Sequence, residues 1–189
     1  MNQIYNPKLK LFISIDFIDS TSFKSKEFLL GKNLLWSMQF LSLKDDFSAI
    51  MLRELNYLDS VENDLLLEKP SVWKMLGDEV IYSVDITEDV DIKTYILAAI
   101  NSILKYNNSD DKEKLLKIKG SSWLAETPVH NAIIKTSCGN HRSDQNNNTI
   151  KHDHSFDVIG PSMDIGFRIA KFASKKKVYY RSRACRNFN

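Results

Sequence analysis

Cysteine is scarce in this chain, with only Cys138 and Cys185 and no CxxC spacing, which excludes a disulfide framework and points to reduced thiols in a cytoplasmic protein. No run of 18 or more apolar residues occurs, so no segment reads as a transmembrane helix. The opening MNQIYNPKLKLF has neither the apolar core nor the small-residue cleavage site of a secretory signal. Glycine and proline are sparse too, six and four, against a hydrophobic fraction of 43%. That balance excludes collagen-like and low-complexity classes and suits one globular domain of 189 residues.

Charge of one sign is missing from one end. Of the 26 Lys and Arg, eight lie from Arg168 onward, where there is no acid. The preceding 167 residues therefore hold 18 basic against 24 acidic side chains, a poor surface for nucleic acid, whose phosphates dominate binding. No nucleic-acid partner is expected. The basic end KKKVYYRSRACR could touch anionic surfaces or stay solvated.

What is present begins with LKLFISIDFI, residues 9–18, a β-branched and aromatic run that predicts a buried strand ending near Asp16. DSTS follows, small polar residues that cap helices, and then FKSKEFLL. A strand passing into a helix through Ser and Thr leaves first-turn N–H groups free for phosphate oxygens, although an ordinary N-cap has the same look. Residues 31–69 read as mostly helical, with an aromatic stripe (Trp36, Phe40, Phe47) suited to a core or a partner subunit.

After Pro70, VWKMLGDEVIYSVDI predicts two strands joined by a tight turn at Gly77-Asp78. A helix is expected over 91–106, then a strand pair within 113–136 that divides near Pro128. Residues 139–155 are a polar loop. Its His141, His152 and His154 lie near Asp144 and Asp153 but fit no zinc spacing. Finally, FDVIGPSMDIGFRIAKFAS predicts a strand at 156–159, a turn at Gly160, and a helix with Pro161 in its first turn. Asp164 and Arg168 stand four apart on that helix, at the spacing of a surface ion pair.

Three of these segments, in this order, resemble the catalytic domain of class III nucleotidyl cyclases: FISIDFIDSTSF, KMLGDEVIYSV and FDVIGPSMDIGFRIA. The resemblance covers roughly residues 9–174. It implies an α+β, ferredoxin-like fold of the βαββαβ type, with an antiparallel-rich sheet, helices on one face, and a head-to-tail dimer. The catalytic domain is expected over 1–177, followed by a basic tail over 178–189. The family continues with more strand and helix where this chain offers one short strand and basic polar sequence, the look of a truncated end.

The same resemblance implies the site. Asp16 and Asp78 would hold two divalent ions per site, Mn²⁺ or Mg²⁺, with backbone contacts from Phe17 and Ile18. Ser20 and Thr21 fall in the phosphate turn, Lys74 and Asp157 where the base is read, and Arg168 where transition-state charge is stabilised. Asp164 takes the place of the family's helix asparagine, and Asp19 that of a turn glycine. The glycine-rich strand of adenylyl and guanylyl cyclases is replaced by KIKGSSWLAETPV. Because all five principal residues occur in one chain, a homodimer with two composite sites is expected, one subunit giving Asp16 and Asp78 and the other Lys74, Asp157 and Arg168.

DFIDSTSFK, KGSSW and GPSMDIGFRIAKFAS together look most like the bacterial pyrimidine cyclases. That implies conversion of UTP first, or CTP, to a 3′,5′-cyclic monophosphate and pyrophosphate. The product would act on a separately encoded effector in anti-phage defence. Lys74 with Asp157 could equally read adenine, so an adenylate cyclase stays open, as does an inactive cyclase-like nucleotide-binding protein or heterodimer partner. A diguanylate cyclase or polymerase palm is disfavoured because no GG[DE][DE]F hairpin occurs.

Overall fold

The computed structural model describes residues 7–31, 33–62, 67–110, 114–136, 155–173 and 179–181. Polar-loop residues 139–154, with all three loop histidines, and tail residues 182–189 lie outside them, as do both cysteines.

The organising element is β1 (Lys8–Phe17), in which every residue from Leu11 to Ile15 is buried. A strand so apolar on both sides belongs in the middle of a sheet covered on both faces. It pairs antiparallel with β3 (Glu79–Ile86) on one side and with β4 (Ile118–Thr127) on the other. β2 (Ser71–Leu76) adds to β3 as a hairpin, and β7 (Tyr179–Arg181) lies parallel to β4. The strand order is β2-β3-β1-β4-β7. The fifth strand comes from beyond residue 177.

Odd-numbered side chains of β1 build one core. Leu11, Ile13, Ile15 and Phe17 meet Leu43 and Phe47 of α2 (Asn33–Glu62) and Tyr95 and Ala98 of α3 (Asp89–Asn107). The short α1 (Ser20–Leu29) contacts α2. On the other face Phe12 joins Ile81, Trp123, Val158 and Met163 in a second core. Here α4 (Pro161–Ala170) lies against β4. The expectation of helices on one face is therefore corrected: α2 and α3 cover one side and α4 the other. The physical reason is the second apolar row, Phe12, Ile81 and Trp123, which needs a cover of its own. Trp123 stacks on Phe12 at 5.7 Å, contacts Phe167, and donates its indole N–H to Met163 Sδ at 3.5 Å.

The two strands expected within 113–136 both form but do not pair with each other. β5 (Ala132–Thr136) leaves the main sheet after Pro128 and forms a separate two-stranded sheet with β6 (Ser155–Ile159). Gly160 then turns the chain into α4, and Pro161 occupies its first turn as expected.

Candidate active site

The end of β1 and the β2–β3 turn converge. Gly77 supplies the positive φ of +63° that the tight turn needs, which puts Asp78 at its tip. Asp19, between β1 and α1, also adopts a left-handed conformation, at φ 58°. It stands at the N-cap of α1, and no side chain caps that helix. The Ser20 hydroxyl, expected to face the helix end or a phosphate, instead donates to Asp78 Oδ2. Lys24, one turn on, lies 3.5 Å from Asp78 Oδ1. Thr21 is exposed in the uncapped first turn, where backbone N–H groups have no helical acceptor.

Strand register fixes the surroundings of Asp16. Glu79 is its partner on β3 and Lys119 its partner on β4. Lys119 Nζ lies 3.1 Å from Asp16 Oδ2, and the Ser14 hydroxyl donates to Glu79 Oε1. These side chains and Ser121 line a cavity of about 350 Å³, closed on one side by Phe167 and Ala170 of α4 and its neighbourhood. Burial pushes the Asp16 carboxyl above the usual carboxylate range; Lys119 pulls it back and Asp78 adds to the rise. Glu79 is raised by burial, opposed by the Ser14 hydrogen bond and reinforced by Asp16 and Asp78. Three acids thus share one neighbourhood.

Among the described residues no three His, Cys, Asp or Glu side chains form a cage for a metal ion. Two hard carboxylates in mutual repulsion nevertheless fit Mg²⁺ or Mn²⁺ of the kind carried in by a triphosphate, which keeps waters and phosphate oxygens as its remaining ligands. The Phe17 side chain is buried in the core, and its backbone N–H helps to hold the Asp16 carboxyl down. The Ile18 N–H donates to the Lys117 carbonyl at 2.8 Å.

A second cluster lies on the α4 side of the sheet. The β2–β3 register slips between Val72 and Lys74, leaving Trp73 as the extra residue of a bulge. Trp73 and Lys74 consequently turn to the same side. Trp73 packs its edge on Phe12 at 5.0 Å, and Lys74 Nζ reaches Asp157 Oδ2 of β6 at 2.8 Å. Arg168 and Asp164 are exposed on α4 and do not pair with each other. Among the described residues no hydrogen bond or ion pair joins the Asp16–Asp78 cluster to the Lys74–Asp157 pair or to Arg168.

Sequence reasoning missed Glu79, Lys119 and Lys24. Glu79 directly follows the Gly77-Asp78 turn and was open to notice. Lys119 becomes visible only once the β1–β4 register is known, and Lys24 only once α1 is set against the hairpin.

No protein-family model and no curated protein sequence matches the chain. Solved structures do. The guanylate cyclase domain of RhGC from Catenaria anguillulae in complex with GTP aligns with a TM-score of 0.50 at 12% identity, over 92% of this chain and 79% of that one. The catalytic core of a rhodopsin-guanylyl cyclase with converted specificity, in complex with ATPalphaS, aligns at 0.48 and 11%, over 92% and 77%. The adenylyl cyclase CyaB from P. aeruginosa aligns at 0.42 and 11%, over 92% and 76%. At the first of these scores the likeness shows a fold: this chain has the α+β architecture, with its antiparallel sheet, of class III nucleotidyl cyclase catalytic domains.

Proposed function

We propose that the chain is a nucleotidyl cyclase that converts a nucleoside triphosphate to its 3′,5′-cyclic monophosphate. The observation that carries this is the strand register that sets Asp16, at the end of β1, opposite Glu79 and so next to Asp78 of the β2–β3 turn, beside the uncapped start of α1. Carboxylates next to free helix N–H groups suit a metal-bound triphosphate.

In the reaction the ribose 3′ oxygen attacks the α-phosphorus, the bond from that phosphorus to the β-phosphate oxygen breaks, and pyrophosphate leaves while the hydroxyl proton is lost. Two divalent ions, held by Asp16 and Asp78 with the Phe17 and Ile18 backbone, would activate the hydroxyl and neutralise the phosphates when bound. Ser20, Thr21 and the first turn of α1 position the phosphates. Lys74 and Asp157 offer the base a donor and an acceptor. Arg168 meets charge that builds on the α-phosphoryl oxygens, and Asp164 lies one turn before it on α4. Since the reaction is intramolecular, holding the ribose in line is most of the work.

A head-to-tail homodimer brings the two clusters together, one subunit supplying Asp16 and Asp78 and the other Lys74, Asp157 and Arg168. Two features support it. Arg168 is exposed and unpaired among the described residues, and α1 ends in exposed apolar side chains, Phe28 at 72% and Leu29 at 84%, close to Lys24 and the Asp78 turn.

For the base, the domain of like fold was captured with GTP, a purine nucleotide, and the donor and acceptor of Lys74 and Asp157 suit adenine as well as a pyrimidine, which supports the adenylate cyclase reading beside the pyrimidine one. The pyrimidine reading, with its anti-phage messenger and separate effector, rests on the sequence segments DFIDSTSFK, KGSSW and GPSMDIGFRIAKFAS. Incubation with Mn²⁺ and ATP, GTP, CTP or UTP separately, with products resolved by mass, decides between them. Cyclic AMP establishes the adenylate cyclase, and cyclic UMP or cyclic CMP the pyrimidine enzyme.

A further inference from the structure

We propose that Lys119 is a resident counter-ion of the metal site: its ammonium holds the place on Asp16 that a divalent cation takes, so cation binding is an exchange rather than an addition. This rests on reading Asp16 and Asp78 as the metal ligands.

Lys119 is placed for the role by the sheet itself, as the β4 partner of Asp16. Its Nζ lies 3.1 Å from the carboxylate on a side chain only 23% exposed. Lys24 stands in the same relation to Asp78 at 3.5 Å. Asp16, Asp78 and Glu79 therefore face two lysines, and most of the negative charge that would draw a cation is already matched. A half-buried carboxylate beside other acids gains from such a partner, since removing water from an uncompensated charge is costly. Lysine suits an exchange better than arginine, being a point charge on a flexible stem rather than a fixed fork.

The cavity also offers the displaced ammonium somewhere to go. Glu79 lines it and already feels the charge of Lys119. Ser121, on the same side of β4 two residues on, is 2% exposed, and its hydroxyl has no hydrogen-bond partner among the described residues. An orphaned buried hydroxyl is unfavourable where it stands. A lysine moving off Asp16 can satisfy it without leaving the cavity, which Asp16, Lys119 and Ser121 all line. Released there, the ammonium remains beside the site to face incoming phosphate charge.

The test is Mn²⁺ binding without nucleotide, followed by electron paramagnetic resonance, for wild type, Lys119→Met, Lys119→Arg and Asp16→Asn. Lys119→Met keeps the stem and removes the charge, and it should bind Mn²⁺ about tenfold more tightly than wild type. Mn²⁺ bound by Lys119→Met alone would support the exchange as well. Lys119→Arg should stay close to wild type and Asp16→Asn should lose the site. Lys119→Gln serves in place of the Met variant if circular dichroism shows the latter misfolded. Unchanged or weaker binding by the neutral variants overturns the exchange while leaving the metal ligands intact. No Asp16-dependent binding in wild type or in the neutral variants, either alone or with a non-cyclisable triphosphate analogue added, overturns the metal reading, and the exchange with it.

Discussion

Lys74 on β2 and Asp157 on β6 form a 2.8 Å ion pair between two separate sheets, although 83 positions divide them in the chain. The bulge at Trp73 makes this possible by turning Lys74 toward the α4 side. With side chains 35% and 27% exposed, the pair adds little to stability, under about 1 kcal/mol.

If the pair reads the base, Asp157→Ala should leave the melting temperature within a few degrees of wild type and cut discrimination between triphosphates by about tenfold or more, the worth of one charged hydrogen bond. Ratios of kcat/KM across the four nucleotides measure this. An unchanged ratio would move base selection elsewhere.

Arg168 is exposed and makes no ion pair among the described residues, so the fold does not depend on it. Arg168→Ala should keep wild-type stability and lose about a hundredfold or more in turnover, with a much smaller effect on nucleotide affinity. Mixing it with Asp78→Ala should restore part of the activity, because one of the two composite sites would then be intact. Absence of recovery would count against shared sites.

Gly166 packs directly under Trp123, and a Cβ built there would fall inside the indole. Gly166→Ala should therefore destabilise the protein by about 1–3 kcal/mol through overpacking, as read by urea denaturation. Neutral behaviour would contradict the placement of α4 on the second face of the sheet.

Far from the site, Asp85 is held by Lys10 and Lys8, the latter at 3.0 Å. Burial pushes its carboxyl upward, but the two lysines outweigh that and hold it below its ordinary 3.8. Below that value the unfolded chain takes up the proton first. The pair's contribution is thus complete above the unfolded value and is lost as pH falls through the folded one. Asp85→Asn should be less stable than wild type at pH 7, with the gap closing in acid. Urea curves at several pH values test this, and a gap independent of pH would contradict it.

The elements with strong local signals were legible in the sequence. A dense β-branched run marked β1, glycine followed by aspartate marked the β2–β3 turn, helical spacing marked α3, and Pro161 marked the start of α4. Partnership was not legible. The sequence predicts a strand pair within 113–136 divided near Pro128, yet says nothing of which strand each member joins, and the two went to different sheets. The same limit hid Lys119, whose meeting with Asp16 is a matter of register. Helix placement on both faces followed from Phe12, Ile81 and Trp123 forming one row, which appears only after three strands are aligned. Resemblance gathered Asp16 with Asp78 and Lys74 with Asp157. It gave no role to Glu79 or Lys24, although both stand inside the matched segments KMLGDEVIYSV and DFIDSTSFK.

The most direct test of the central claim is formation of a 3′,5′-cyclic nucleotide by the purified protein, with Mn²⁺ and each of the four triphosphates in turn, compared with Asp16→Ala by mass spectrometry. The account predicts cyclic product and pyrophosphate in equal amounts from wild type with at least one triphosphate, and none from Asp16→Ala. No cyclic product from any of the four, or product undiminished in Asp16→Ala, would contradict it.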